Sequence, residues 1–166
     1  WSADGKGIYF QYDDEGNTKI AYVSTGGQIE NLVGDVGGLS VGRPYGGGMF
    51  SLAKDGSYAF TYCRPDHPAD VAIGKRGKAG SRRLTALNED LFGHKTMAAV
   101  EEIWYESSFD GRKIQGWIAK PPGFDSSKKY PLILEIHGGP FANYGDRFAA
   151  EVQLYAAAGY VVLYTN

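Results

Sequence analysis

The residues best suited to chemistry are His137-Gly138-Gly139-Pro140, set between the apolar run Pro131-Leu132-Ile133-Leu134-Glu135-Ile136 and a helical pattern. Two adjacent glycines let a chain turn sharply and present backbone N–H groups with no side chain in the way. Donors fixed in this way suit a reaction that concentrates negative charge on one oxygen, as acyl transfer does, where one preorganised donor is typically worth roughly 3–4 kcal/mol. The plainer reading is a tight strand-to-helix turn that does no chemistry. His137 ends the strand with no nucleophile near it, so its expected role is to orient the loop through a hydrogen bond rather than to act as a base.

Other candidates fall away on context. Gly38-Leu39-Ser40-Val41-Gly42 satisfies G-x-S-x-G, but a nucleophilic serine of that pattern needs a buried strand before it and a helix after it. Ser40 instead lies among Gly34, Gly37, Gly42, Pro44 and Gly46-Gly47-Gly48, where no helix can start, and it is rejected as a nucleophile. Residues 74–95 hold six of the 17 basic residues (Lys75, Arg76, Lys78, Arg82, Arg83, Lys95), a run that reads as a solvated loop between strands rather than a phosphate grip. Glu101 and Glu102 are neighbours on a strand and point to opposite faces, so they do not converge on one substrate. His67 and His94 read as loop residues without a nameable partner, and Cys63 as a small packing residue.

Two kinds of element must position these residues. Up to about residue 95, short alternating runs are punctuated by turns: Asp4-Gly5 leads into Gly7–Tyr12, and Glu15-Gly16-Asn17 into Lys19–Val23. Asp55-Gly56 before Tyr58–Tyr62 repeats the opening pattern 51 residues on, a spacing that suits propeller blades and leaves an all-β sandwich piece as the alternative. Past residue 100, Glu101–Ser107 and Lys113–Ala119 read as a hairpin across Asp110-Gly111. A buried strand follows at 131–137 and then a helix, with Asp146 as N-cap, Phe148, Val152 and Tyr155 on one face, and Gly159 as its stop. The strand Tyr160–Tyr164 completes a parallel unit expected to be right-handed.

Composition bounds the reading. The chain has 166 residues, net charge −2 and 43% hydrophobic residues, which excludes a generally basic nucleic-acid binder and a disordered tail. No apolar run approaches the roughly 18–20 residues needed to cross a bilayer, and the start is no signal peptide. A single cysteine cannot form an internal disulfide and, with no signal peptide, favours a cytoplasmic location; no metal site or cofactor is indicated. Both ends read as cuts, because Trp1 opens on a turn and Asn166 directly follows an apolar strand.

From Ile103 onward the chain resembles the prolyl oligopeptidase family of serine peptidases, nearest its acylaminoacyl-peptidase and dipeptidyl-aminopeptidase branches. The matching stretches are Ser108–Trp117, Lys129–Leu134, His137-Gly138-Gly139-Pro140 with Tyr144-Gly145, and Gly159–Asn166. Upstream, Leu84-Thr85-Ala86-Leu87-Asn88 is similar to the segment that closes the family's propeller. The resemblance implies a mixed fold: residues 1–99 as about two C-terminal blades of a β-propeller, and residues 100–166 as the first strands and helix of an α/β-hydrolase domain. It implies hydrolysis of short peptides through an acyl-enzyme, with the Gly139 N–H as an oxyanion-hole donor and Gly138 shaping the turn. The family's Ser, Asp and His all fall beyond Asn166, so the chain by itself is expected to be inactive. No nucleic-acid, membrane or cofactor partner is implied, and a homo-oligomer of the parent stays open. The alternatives are a non-catalytic propeller used for binding and an esterase-type α/β-hydrolase.

Overall fold

A computed structural model describes residues Trp1–Asn166. The chain is mostly antiparallel sheet with little helix. Its first strands are β1 (Gly7–Asp14), β2 (Asn17–Ser24), β3 (Ile29–Val36), β4 (Phe50–Leu52), β5 (Ser57–Arg64), β6 (His67–Lys75) and β7 (Ser81–Arg83). They form one seven-stranded sheet in the order β1-β2-β3-β5-β6-β7, with β4 pairing beside β5. This sheet is two units joined by a thread: β3 meets β5 at one position, Val36 opposite Tyr62. The expected repeat is visible in the turns. Asp4 Oδ1 accepts the Lys6 N–H at 3.1 Å and Asp55 Oδ1 accepts the Ser57 N–H at 3.0 Å, each beside a glycine of positive φ, +69° at Gly5 and +80° at Gly56. The core of this sheet is Ile20, Val36, Tyr58, Phe60 and Ala72.

A short helix α1 (Glu89–Phe92) leads to the second sheet, built from β8 (Ala99–Glu106), β9 (Lys113–Lys120), β10 (Leu132–Ile136) and β11 (Val161–Thr165), with helix α2 (Ala150–Ala157) between the last two. The order is β10-β11-β9-β8, parallel between β10 and β11 and antiparallel elsewhere. The predicted hairpin across Gly111, which has φ +69°, joins β8 to β9. One face of this sheet packs on α2 through Trp117, Ala119, Val162 and Tyr164 against Ala149, Val152 and Ala156, with Trp117 and Tyr164 stacked at 5.4 Å.

The helix differs from expectation at its start. Asp146 is not the N-cap; that position is Ala149, which makes no side-chain capping bond. The first helical N–H groups are satisfied from the other sheet's side, Ala150 by Val41 O at 2.8 Å and Glu151 by Gly42 O at 3.1 Å. A backbone acceptor from a remote segment removes the need for a capping side chain. Phe148 is buried as expected, but ahead of the helix, with its ring edge-on to Phe92 at 5.3 Å. Gly159 does stop the helix: at φ +93° it donates to Ala156 O, and Tyr160 donates to Tyr155 O at 3.1 Å, the paired bonds of a Schellman motif.

Segment 41–47 runs along segment 143–151 and stitches the two sheets together. Gly145 N–H donates to Pro44 O at 2.9 Å, Gly46 N–H to Asn143 O at 3.0 Å, and Tyr45 bridges Tyr144. The approach is close enough to require glycine on both sides, since a Cβ at Gly145 would lie 1.8 Å from Gly16 O and one at Gly16 would lie 2.5 Å from the Trp117 ring. Gln115 Nε2 donates to Glu15 O at 2.7 Å, and Gln153 ties Pro65 O to both backbone groups of Ala98. No helix is long and apolar enough to cross a membrane.

Candidate functional site

The His137–Pro140 loop leaves the C-terminal end of β10 and faces segment 41–47. Its two glycines are in different situations. The Gly138 N–H donates to the Tyr45 hydroxyl at 3.1 Å, whereas the Gly139 N–H has no acceptor in the chain. The amides of Phe141 and Ala142 are also unengaged, so the loop presents a short run of free donors. The peptide between Gly139 and Pro140 is cis. His137 Nδ1 donates to Gly138 O at 2.7 Å, and its ring lies edge-on to Tyr144 at 5.3 Å. The histidine thus braces the loop by hydrogen bond and ring contact.

Beneath the loop is a polar network that local pattern did not reveal. Tyr144 is fully buried; its hydroxyl donates to Glu135 Oε1 at 3.1 Å, and Arg43 Nη1 lies 2.9 Å from the same oxygen. Arg43 Nε also reaches Glu151 Oε2 at 3.2 Å. Burial, and then the Glu135 carboxylate, push the Tyr144 phenol well above its ordinary range, so it serves as a neutral donor. Asn166 clamps the backbone of Tyr144 from the other side, accepting its N–H at 2.8 Å and donating to its carbonyl at 3.1 Å. Glu135 was open to detection as the one charge inside a continuous apolar strand. Tyr45 and Arg43 were not, because a glycine-rich irregular segment carries no periodicity to orient them.

The remaining candidates are dispersed. Ser40 lies in irregular chain with no helix after it, and its Oγ accepts only the Arg43 N–H, at 3.4 Å. His67 is not a loop residue: it starts β6, with Glu89 3.4 Å and Asp70 3.7 Å from its ring nitrogens. His94 sits exposed in a turn. The ring hydrogen bonds of His67 and His137 go to backbone carbonyls, of Pro68 and Gly138 respectively. Cys63 is buried in β5, and burial raises its thiol pKa. Glu101 and Glu102 point apart, the first to Lys120 Nζ at 2.6 Å, the second to Trp104 Nε1 at 2.7 Å and Gln115 Nε2 at 2.8 Å. The basic run is part strand rather than loop. Lys75 pairs with Asp55, Arg76 with Glu30, and Arg83 with Asp70 and Glu89. No cluster of His, Cys, Asp and Glu is arranged to hold a metal ion.

No protein-family model matches the chain. It is 34% identical over 167 residues to the Bacillus subtilis protein named uncharacterized peptidase YuxL, covering 100% of this chain and 24% of that protein. It is 29% identical over 168 residues to dipeptidyl-peptidase 5 of Porphyromonas gingivalis, covering 100% of this chain and 23% of that protein. The chain therefore spans about a quarter of the length of these curated relatives. Among solved structures it is similar in fold to Pyrococcus horikoshii acylaminoacyl peptidase, with a TM-score of 0.75 at 22% identity over 98% of this chain and 24% of that one. Porphyromonas gingivalis dipeptidyl peptidase 4 matches with a TM-score of 0.69 at 22% identity, covering 96% of this chain and 22% of that one.

Proposed function

We propose, on the premise that this chain is a relative of the prolyl oligopeptidase family of peptidases, that its parent protein is a serine-type peptidase acting on short peptides through an acyl-enzyme. Residues 137–140 form the oxyanion loop of that enzyme. As a nucleophile attacks a peptide carbonyl, its oxygen takes on negative charge and accepts the Gly139 N–H; Gly138 shapes the turn. The observation that carries this reading is the division of labour between the two glycines: one amide is occupied by Tyr45, and the next is free at the end of β10. A donor held in advance lowers the barrier because no reorganisation is needed as charge develops.

Residues 1–99 are read as the last two blades of a β-propeller, supported by the repeated Asx turns and by two strand units joined at a single pair. Residues 100–166 are read as the opening of an α/β-hydrolase domain, supported by the parallel β10–β11 pair with α2 packed on one face. The nucleophile and base are supplied by residues outside 1–166, so the peptide-cleaving unit is the whole protein. The full-length protein is expected to release a chromophore from short peptide anilides and to be blocked by a fluorophosphonate. Hydrolysis of simple esters without peptides would point to an esterase, and no turnover together with no labelling would point to a binding module; either result would defeat the proposal.

A further inference from the structure

We infer that Tyr45 is a positioning residue for the oxyanion loop, through which the first sheet sets the loop's reactive geometry; this rests on the peptidase reading above. Tyr45 lies 93 residues before Gly138 and belongs to the other sheet's side of the seam, yet its hydroxyl accepts the Gly138 N–H at 3.1 Å. That bond removes Gly138 from competition as a donor and fixes the peptide plane immediately before the Gly139 N–H.

The phenol is itself held on several sides. Its ring packs on Tyr144 with centroids 5.0 Å apart, and its backbone bridges Tyr144. The flanking bonds from Gly145 to Pro44 and from Gly46 to Asn143 fix its backbone, and Pro44 is fully buried. Arg43, two residues earlier, grips Glu135, two residues before His137. The two roots of the contact are therefore tied together independently of the Tyr45 hydroxyl. Removing that oxygen alone should leave the seam standing and loosen only the loop. A shift of the donor by a fraction of an ångström weakens a charge-stabilising bond in the transition state more than in the bound substrate.

The test compares full-length wild type with Tyr45→Phe, which keeps the ring contact. Steady-state kinetics on a peptide anilide should show kcat reduced about tenfold with KM little changed and the melting temperature unmoved. Hydrogen exchange across residues 137–142 should show the Gly138 amide protected in the wild type and exposed in the variant. An unchanged kcat with a newly exposed Gly138 amide would overturn the positioning role. Unchanged exchange would show that the bond does not form, and would overturn the inference at its base. A wild type without peptidase turnover would defeat the peptidase reading and the catalytic part of this inference together, while the exchange measurement would still report on the bond itself.

Discussion

Asp70 lies almost wholly buried in β6, where its Oδ1 accepts from Thr85 Oγ1 at 2.7 Å and from the Leu87 N–H at 3.0 Å, with Arg83 Nε 2.9 Å from Oδ2. Burial works to raise its pKa, but the two hydrogen bonds, Arg83 and then His67 outweigh it and hold the carboxyl below its ordinary range. A depressed carboxylate contributes stability that is present above its unfolded pKa near 3.9 and is lost as pH falls through the lower folded value. Asp70→Asn should therefore lower unfolding free energy by about 2 kcal/mol at pH 7, and the gap to wild type should narrow progressively in urea melts taken as pH falls below about 3.9. A gap independent of pH would mean that the charge contributes nothing. At the seam, Gly145→Ala drives a Cβ into Gly16 O and should destabilise by about 3 kcal/mol or more, read in the same melts. Of these residues, the glycine pair of the loop was legible because its chemistry is local. Asp70 and Tyr45 were not, since their hydrogen-bond partners lie 15 to 93 residues away and their types occur everywhere.

At the scale of elements, turn chemistry was the most readable layer. Gly5, Gly16, Gly56 and Gly111 all take positive φ at or beside the turns where sequence placed them, and Gly159 ends α2. What failed was the start of α2, because Asp146 satisfies the local pattern of a cap while the true acceptors, Val41 O and Gly42 O, come from far upstream. Two substitutions separate these cases. Gly159→Ala places a side chain at φ +93° and should cost about 1 kcal/mol. Asp146→Asn should not show the loss expected of a broken cap. Burial, the largest influence on it, raises the Asp146 pKa despite the opposing charge of Arg147. A raised carboxyl favours the folded state below its unfolded pKa, and that advantage fades as pH rises through the folded value. The asparagine variant should therefore melt above wild type at pH 7 and show less advantage near pH 4, in thermal scans at the two pH values.

Over the whole molecule, one sheet face is covered and the other is open. Leu132, Leu134 and Ile136 are 58%, 52% and 67% exposed along β10, while the opposite face packs on α2. A continuous apolar strand exposed in this way is an association surface. The 166-residue chain in isolation should bind an apolar dye and self-associate, and Leu134→Lys with Ile136→Lys should reduce both without lowering the melting temperature. The β8–β9 hairpin and the strand–helix–strand order from β10 to β11 were legible from period and turn signals. The seam between the sheets was not, because it is built from backbone bonds and glycine close approaches that leave no pattern in residue type.

The most direct test of the proposed oxyanion loop is a crystal structure of the full-length protein reacted with a phosphonate. The phosphonyl oxygen should lie within about 2.7–3.1 Å of the Gly139 nitrogen, with the Gly138 N–H still on the Tyr45 hydroxyl. An adduct whose oxygen is held by other donors, or a protein that the phosphonate fails to modify, would contradict the assignment.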